Sequence, residues 1–202
     1  PWDYSGGSFS AGDVNGDGVD DIVIGAASAD PAGKLNAGES YVVFGSASWS
    51  ISKLDLSSLD GSNGFQINGI DEDATSSVSV SSAGDVNGDG VNDIIIGAWL
   101  ADPDGKSGAG ESYVVYGSST RTSSELDLSS LDGSNGFKIN GIDDSDYSGN
   151  SVSSAGDVNG DGVDDIIIGA WSAGLAGESY VVFGERLNNI PVVTSSAVTT
   201  IN

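Results

Sequence analysis

Four oxygen-bearing side chains, Asp13, Asn15, Asp17 and Asp21, stand at positions 1, 3, 5 and 9 of the nonapeptide Asp13-Val14-Asn15-Gly16-Asp17-Gly18-Val19-Asp20-Asp21. The pattern returns as Asp85, Asn87, Asp89 and Asp93, and again as Asp157, Asn159, Asp161 and Asp165. Oxygen donors at this spacing suit a hard cation. Ca2+ takes about 6–8 oxygens at roughly 2.3–2.6 Å and accepts backbone carbonyls among them. Val19, Val91 and Val163 at position 7 are therefore expected to add their C=O groups, and three Ca2+ ions are the expected cofactor. Gly18, Gly90 and Gly162 at position 6 supply the bend, since a residue without Cβ reaches positive φ at little steric cost.

An EF-hand shares the first half of this spacing but needs a bidentate Glu at position 12 and a helix on either side. Here position 12 is Ile24, Ile96 or Ile168, inside the runs Ile22-Val23-Ile24, Ile94-Ile95-Ile96 and Ile166-Ile167-Ile168. These runs are β-branched and too short for helices, so each loop is expected to lead into a strand and to take its last side-chain ligand at position 9. The competing reading is a plain hairpin turn, because Asp, Asn and Gly favour turns through local hydrogen bonds. Against it, the carboxylates at positions 1, 5 and 9 repel one another without a cation, and the crowding occurs three times.

Composition narrows the chemistry further. The 202 residues suffice for one or two ordinary domains, and 31 Gly with only 4 Pro and abundant Ser point to a turn-dense, all-β chain. No apolar run approaches the roughly 18 residues of a membrane span, so membrane insertion is not expected. The sequence contains no secretory leader, and a start at Pro1 instead of Met is expected of a processed or excised piece. Cys and His are absent, which removes disulfides, thiol nucleophiles, imidazole bases, Ser-His-Asp triads and ordinary zinc sites. Net charge is −24, of which three Ca2+ would offset only six. The remaining acidity opposes binding to nucleic acid and anionic lipid. Loops of this kind in extracellular modules bind calcium at about 10⁻⁴–10⁻³ M, too weakly for a resting cytosol, so an extracellular or cell-surface location is expected.

The elements that must position these loops repeat with them. The loops begin 72 residues apart each time, at Asp13, Asp85 and Asp157. Each repeat offers four strands: one just before the loop (Val78 to Ser82 in the second copy), the Ile run, Tyr-Val-Val-Phe or its equivalent, and Phe65-Gln66-Ile67-Asn68 or Phe137-Lys138-Ile139-Asn140. The second and third are apolar without alternation, as in sheets covered on both faces. Four-stranded sheets stacked about an axis are propeller blades. The expected organisation is blade 1 over 1–70, blade 2 over 71–142, a shortened blade 3 over 143–184, and a tail over 185–202. Blade 3 has five residues fewer between Ala170 and Glu178 than the earlier copies have in the matching spans. The tail is read as a fourth strand or a linker, with Asn188-Asn189 and Pro191 favouring the linker.

These residues resemble the FG-GAP repeat, the blade unit of integrin alpha-chain propellers and of many bacterial surface proteins. The resemblance is carried by Ser-Ala-Gly-Asp-Val-Asn-Gly-Asp-Gly leading to Asp-Ile-Ile-Ile-Gly-Ala, then Gly-Glu-Ser-Tyr-Val-Val-Phe-Gly, and it covers residues 5 to 184. It implies a calcium loop between the first and second strands of each blade, and extracellular adhesion or ligand binding in place of catalysis. Two features depart from the family pattern. Ala27, Trp99 and Trp171 replace the Pro after Gly-Ala, and no Phe-Gly precedes the first strand at Thr75-Ser76-Ser77 or Tyr147-Ser148-Gly149. Propellers typically close with about 4–8 blades. Three blades therefore imply part of a longer ring, or self-association through open blade faces.

Other candidates fare less well. Trp99 and Trp171 at equivalent strand ends could stack on a sugar, but blade packing is the commoner use of such residues. Glu39, Glu111 and Glu178 recur before Tyr-Val-Val, and catalysis needs no three equivalent copies, so they are read as hydrogen-bonding groups. Asp55-Leu56-Ser57-Ser58 is read as a turn or cap. The leading reading is a non-enzymatic, calcium-stabilised, integrin-like propeller segment for adhesion or scaffolding, with a protein or glycan partner at a surface. The alternatives are a self-assembling fibre protein and an accessory, non-catalytic blade set of a larger secreted enzyme.

Overall fold

The computed structural model describes residues 5–48, 53–186 and 199–201. Strands β1 (Ser5–Gly12), β2 (Asp21–Ala26), β3 (Glu39–Val43) and β4 (Gly64–Asn68) form an antiparallel meander. The pattern repeats with β5 (Ser79–Gly84), β6 (Asp93–Ala98) and β7 (Glu111–Val115); after a short strand β8 (Glu125–Asp127), β9 (Gly136–Asn140) completes the second sheet. The third sheet holds β10 (Ser148–Gly156), β11 (Asp165–Ala170) and β12 (Glu178–Val182). Within the tail, β13 (Thr199–Ile201) pairs with β12 in the place that β4 and β9 take in their own sheets. The described residues are all-β, in three blade-like sheets.

The second and third strands of each sheet lie where β-branched and aromatic runs place them, whereas β1, β5 and β10 are rich in Ser, Gly and Ala. The three Ile/Val runs, nearly identical in sequence, differ in burial according to their neighbours. All six residues of β6 are buried, because that sheet is covered on both faces. Ile94 and Ile96 join the core shared with the first sheet, where Val23 and Ile67 lie, and Ile95 joins the core shared with the third, with Ile166 and Ile168. The outer sheets each keep one open face: Ile22 is 40% exposed on the first and Ile167 36% exposed on the third.

β8 belongs by sequence to the second repeat and by pairing to the first sheet. It runs parallel to β4, with Leu126 opposite Ile67, and the Gln66 N–H donates to the Ser124 carbonyl at 2.8 Å. This strap carries Leu126 and Leu128 into the core around Phe65 and Ile67. The same residues of the first repeat, Leu54 and Leu56, have no sheet beneath them among the described residues and remain half-exposed.

Candidate metal centres and the joints that hold them

Each nonapeptide links the first and second strands of its sheet, and its oxygens turn into the loop. In the first, the two Asp13 carboxylate oxygens accept from the N–H groups of Asp17 (3.0 Å) and Gly18 (2.8 Å). Asn15 Oδ1 accepts from Asp17 N–H at 2.9 Å, and Asp17 Oδ1 from Val19 N–H at 2.9 Å. The second loop reproduces all four bonds on Asp85, Asn87 and Asp89, and the third on Asp157, Asn159 and Asp161. These bonds also fix Val19, Val91 and Val163. Gly18, Gly90 and Gly162 have φ of 86°, 91° and 83°, the left-handed conformation that position 6 requires.

Position 9 has a structural task that its spacing did not reveal. Asp21 accepts from Val14 N–H at 2.9 Å and from Gly45 N–H at 2.8 Å, so one carboxylate ties the start of the loop to the exit of the third strand. Asp93 does the same with Val86 and Gly117, and Asp165 with Val158 and Gly184. All three side chains are buried. Burial pushes the Asp93 carboxyl up to about 8; its two N–H donors pull it down, and the charges of Asp89 and Asp85 push it further up. Asp21 is pushed up to about 6 for the same reasons.

Among the described residues no three acidic side chains converge into a ready-made cluster. The donors instead lie along a loop whose backbone is already bent around them. As an all-oxygen set of carboxylate and amide groups, each holding lone pairs beyond the bond it accepts, they fit a hard cation by chemistry. Asp13, Asn15, Asp17, Val19 and Asp21, with their equivalents in the other loops, are the residues that would hold it.

Spacing within the loop assigns position 8 no role, yet it governs the contact between sheets. Asn92 Oδ1 accepts the Asp13 N–H at 3.0 Å, and the Asn92 N–H donates to the Asp13 carbonyl at 3.0 Å. One joint further on, Asp164 Oδ2 accepts the Asp85 N–H at 2.9 Å and the Asp164 N–H donates to the Asp85 carbonyl at 3.1 Å. A third bond completes each joint, from Ser118 N–H to the Val14 carbonyl and from Glu185 N–H to the Val86 carbonyl, both at 2.9 Å. All three loops are thus shaped by their own side chains from inside, and the first two are also held by the next sheet from outside. The available signal was a polar residue recurring at position 8 in all three copies.

A sequence profile described as FG-GAP repeat matches residues 5–43, 77–115 and 148–182, the three sheet-and-loop units just described. The chain belongs to the FG-GAP repeat family. Its FG-GAP units are similar to those of integrin alpha chains: 33% identical over 186 residues to integrin alpha pat-2 of Caenorhabditis elegans, and 30% over 181 residues to its Caenorhabditis briggsae counterpart. Both alignments cover 86% of this chain and 14% of the relative. Integrin alpha-PS2 of Drosophila melanogaster is 32% identical over 120 residues, covering 57% of this chain and 8% of the relative. The FG-GAP chain therefore spans about one seventh of the length of the two pat-2 relatives.

The remaining candidates take ordinary structural places. Glu39 and Glu111 each accept from the Tyr hydroxyl two residues on, at Tyr41 and Tyr113, and Glu178 accepts from Tyr180 at 2.8 Å. Lys138 adds an ion pair to Glu111 at 2.9 Å. Trp99 and Trp171 flank Tyr147, one edge-on at 5.3 Å and the other stacked at 5.5 Å; Trp99 is half-buried, whereas Trp171 is 60% exposed and not buried in blade packing. Asp55 caps a short 3-10 turn by accepting the Ser57 N–H at 3.1 Å. Among the described residues no helix is long and apolar enough to cross a membrane.

Proposed function

We propose that this chain is a calcium-binding, integrin-like propeller segment that acts in adhesion or scaffolding at a cell surface or in the extracellular matrix. The observation that carries the reading is the threefold recurrence of one loop, with the Asp, Asn and Asp oxygens turned inward and buried Asp93 crowded by Asp85 and Asp89. Calcium is structural in this reading. It neutralises the crowded carboxylates and stiffens the turn from which the next sheet hangs, and it needs no activated nucleophile. The integrin likeness of the relatives supports a protein or glycan ligand, and the net charge of −24 directs that ligand away from nucleic acid.

Equilibrium dialysis at a few millimolar calcium tests the metal. Three ions per chain are expected, and Asp17→Ala, Asp89→Ala and Asp161→Ala should each remove one. A chain that retains no calcium contradicts the reading. Calcium-dependent attachment of cells or matrix proteins to a surface coated with the chain tests the adhesive role; attachment no greater than to a bare surface contradicts it.

A further inference from the structure

The second sheet has a neighbour on each side, and at its loop end lies a cleft of ≈ 410 Å³. That volume falls in the range of small-ligand sites, about 300–1,000 Å³. Every lining residue belongs to the second repeat: Asp89 of the loop, the segment leaving β7 from Tyr116 to Ser123, and the turn at Ser134 and Asn135. None of these residues lies on an outer sheet.

Arg121 is the unusual group in this lining. With six basic residues against thirty acidic ones, a cation in this chain has carboxylates to spare, and Lys138 pairs with Glu111 at 2.9 Å. Arg121 is half-buried yet makes no ion pair among the described residues. Its guanidinium lies over the Phe65 ring at 4.6 Å and donates one N–H to the Tyr116 carbonyl at 3.1 Å. Ring and carbonyl hold the plane of the fork and leave its other N–H groups unspent, which preorganises it for a planar carboxylate. The rest of the lining divides in two. The hydroxyls of Ser118, Ser123 and Ser134 are spent on their own turns. Those of Tyr116 and Thr122 take no partner among the described residues, and Asp89 accepts the Val91 N–H on Oδ1 and keeps Oδ2 free.

We propose that this cleft binds an acidic sugar, a uronate whose carboxylate lies on the Arg121 fork and whose hydroxyls meet Tyr116, Thr122 and Asp89. Asp89 selects the class. A ligand that is anionic throughout, such as an acidic peptide, would bring carboxylates against Asp89, whereas a sugar acid offers one carboxylate and several hydroxyl donors. The choice rests on the calcium reading above: with a cation on the second loop Asp89 needs no ammonium from the ligand, which sets amino acids aside.

Calorimetric titration of the full chain at a fixed few millimolar of free calcium tests this, with a galacturonate trimer, its methyl ester and the neutral galactose trimer as probes. The acid trimer should bind, and the other two should bind at least about tenfold more weakly, since each lacks the charge that Arg121 reads. Arg121→Gln and Arg121→Lys should each lose about tenfold for the acid trimer. Thr122→Val, an exposed change that leaves Arg121 and the core in place, should lose a smaller factor. Equal binding of the three trimers overturns the proposal, as does an Arg121→Gln chain that melts like the wild type and binds the acid trimer as tightly. So does tighter binding of a tetra-aspartate peptide, or a Thr122→Val chain of unchanged affinity. A chain that retains its calcium and ignores the acid trimer overturns this proposal alone, whereas a chain that retains no calcium removes the reading on which it rests.

Discussion

Asn92 holds Asp13 at both of its backbone polar groups, accepting the N–H and donating to the C=O at 3.0 Å each. Asp13 is also the first donor of the loop in its own sheet, where its carboxylate takes the N–H groups of Asp17 and Gly18. One residue thus stands in both the turn and the sheet-to-sheet joint. Ordering the loop and docking the next sheet restrict the same backbone, so each makes the other less costly in entropy.

Comparing equivalent position-8 substitutions isolates this joint. Asn92→Ala removes an acceptor from a part-buried N–H and should cost about 1–3 kcal/mol in urea unfolding. Asp20→Ala, at the same loop position but exposed, should change stability by less than about 0.5 kcal/mol in dilute solution. Equal losses would mean that the joint contributes nothing.

The strap supports a parallel test. Leu126 is 7% exposed and lies in the core around Phe65 and Ile67, so Leu126→Ala should cost about 2–5 kcal/mol. Leu54→Ala, in the same repeat position but half-exposed, should cost clearly less. Matching urea midpoints for the two variants would show that the strap does not bind the first sheet.

Without calcium, stability should depend on pH in an unusual direction. Burial raises Asp93 from 3.8 to about 8 and Asp21 from 3.8 to about 6, so below those values the fold binds protons that the unfolded chain releases. This contribution is complete below about pH 4 and is lost as pH rises through about 6 and then 8. Melting in chelator should therefore shift upward on mild acidification from about pH 8. A melting temperature that is flat or falls over that range would show that these carboxyls are not raised.

Much of this architecture was legible in the sequence, because the repeat dictates it locally. The Ile runs are β2, β6 and β11, Tyr-Val-Val opens the way to the next turn, and Phe65 to Asn68 lie in β4. What the sequence concealed depends on neighbours that no local pattern encodes. Leu54 and Leu126 sit in identical segments, and only the second has a sheet beneath it. Asp55 caps its own turn, while its copy Asp127 instead accepts from Asn68 Nδ2 at 3.2 Å across two repeats. At position 8 the side chain leaves its own loop for the loop before it, so spacing within one nonapeptide could not show what it does. Spacing marks position 9 only as a ligand, and its buried bonds to Val86 and Gly117 form only once the third strand has returned beside the loop.

Calorimetric melting of the chain in calcium and in chelator tests most directly whether the three loops bind calcium. A site filled at ten times its dissociation constant adds about 1.4 kcal/mol to the folded state, and three such sites add about 4 kcal/mol. The melting temperature should rise with calcium by several degrees and return on chelation, with a smaller rise in Asp89→Ala than in the wild type. Superimposable melting curves in calcium and in chelator would contradict calcium binding, and would leave the three nonapeptides as hairpin turns held by their own hydrogen bonds.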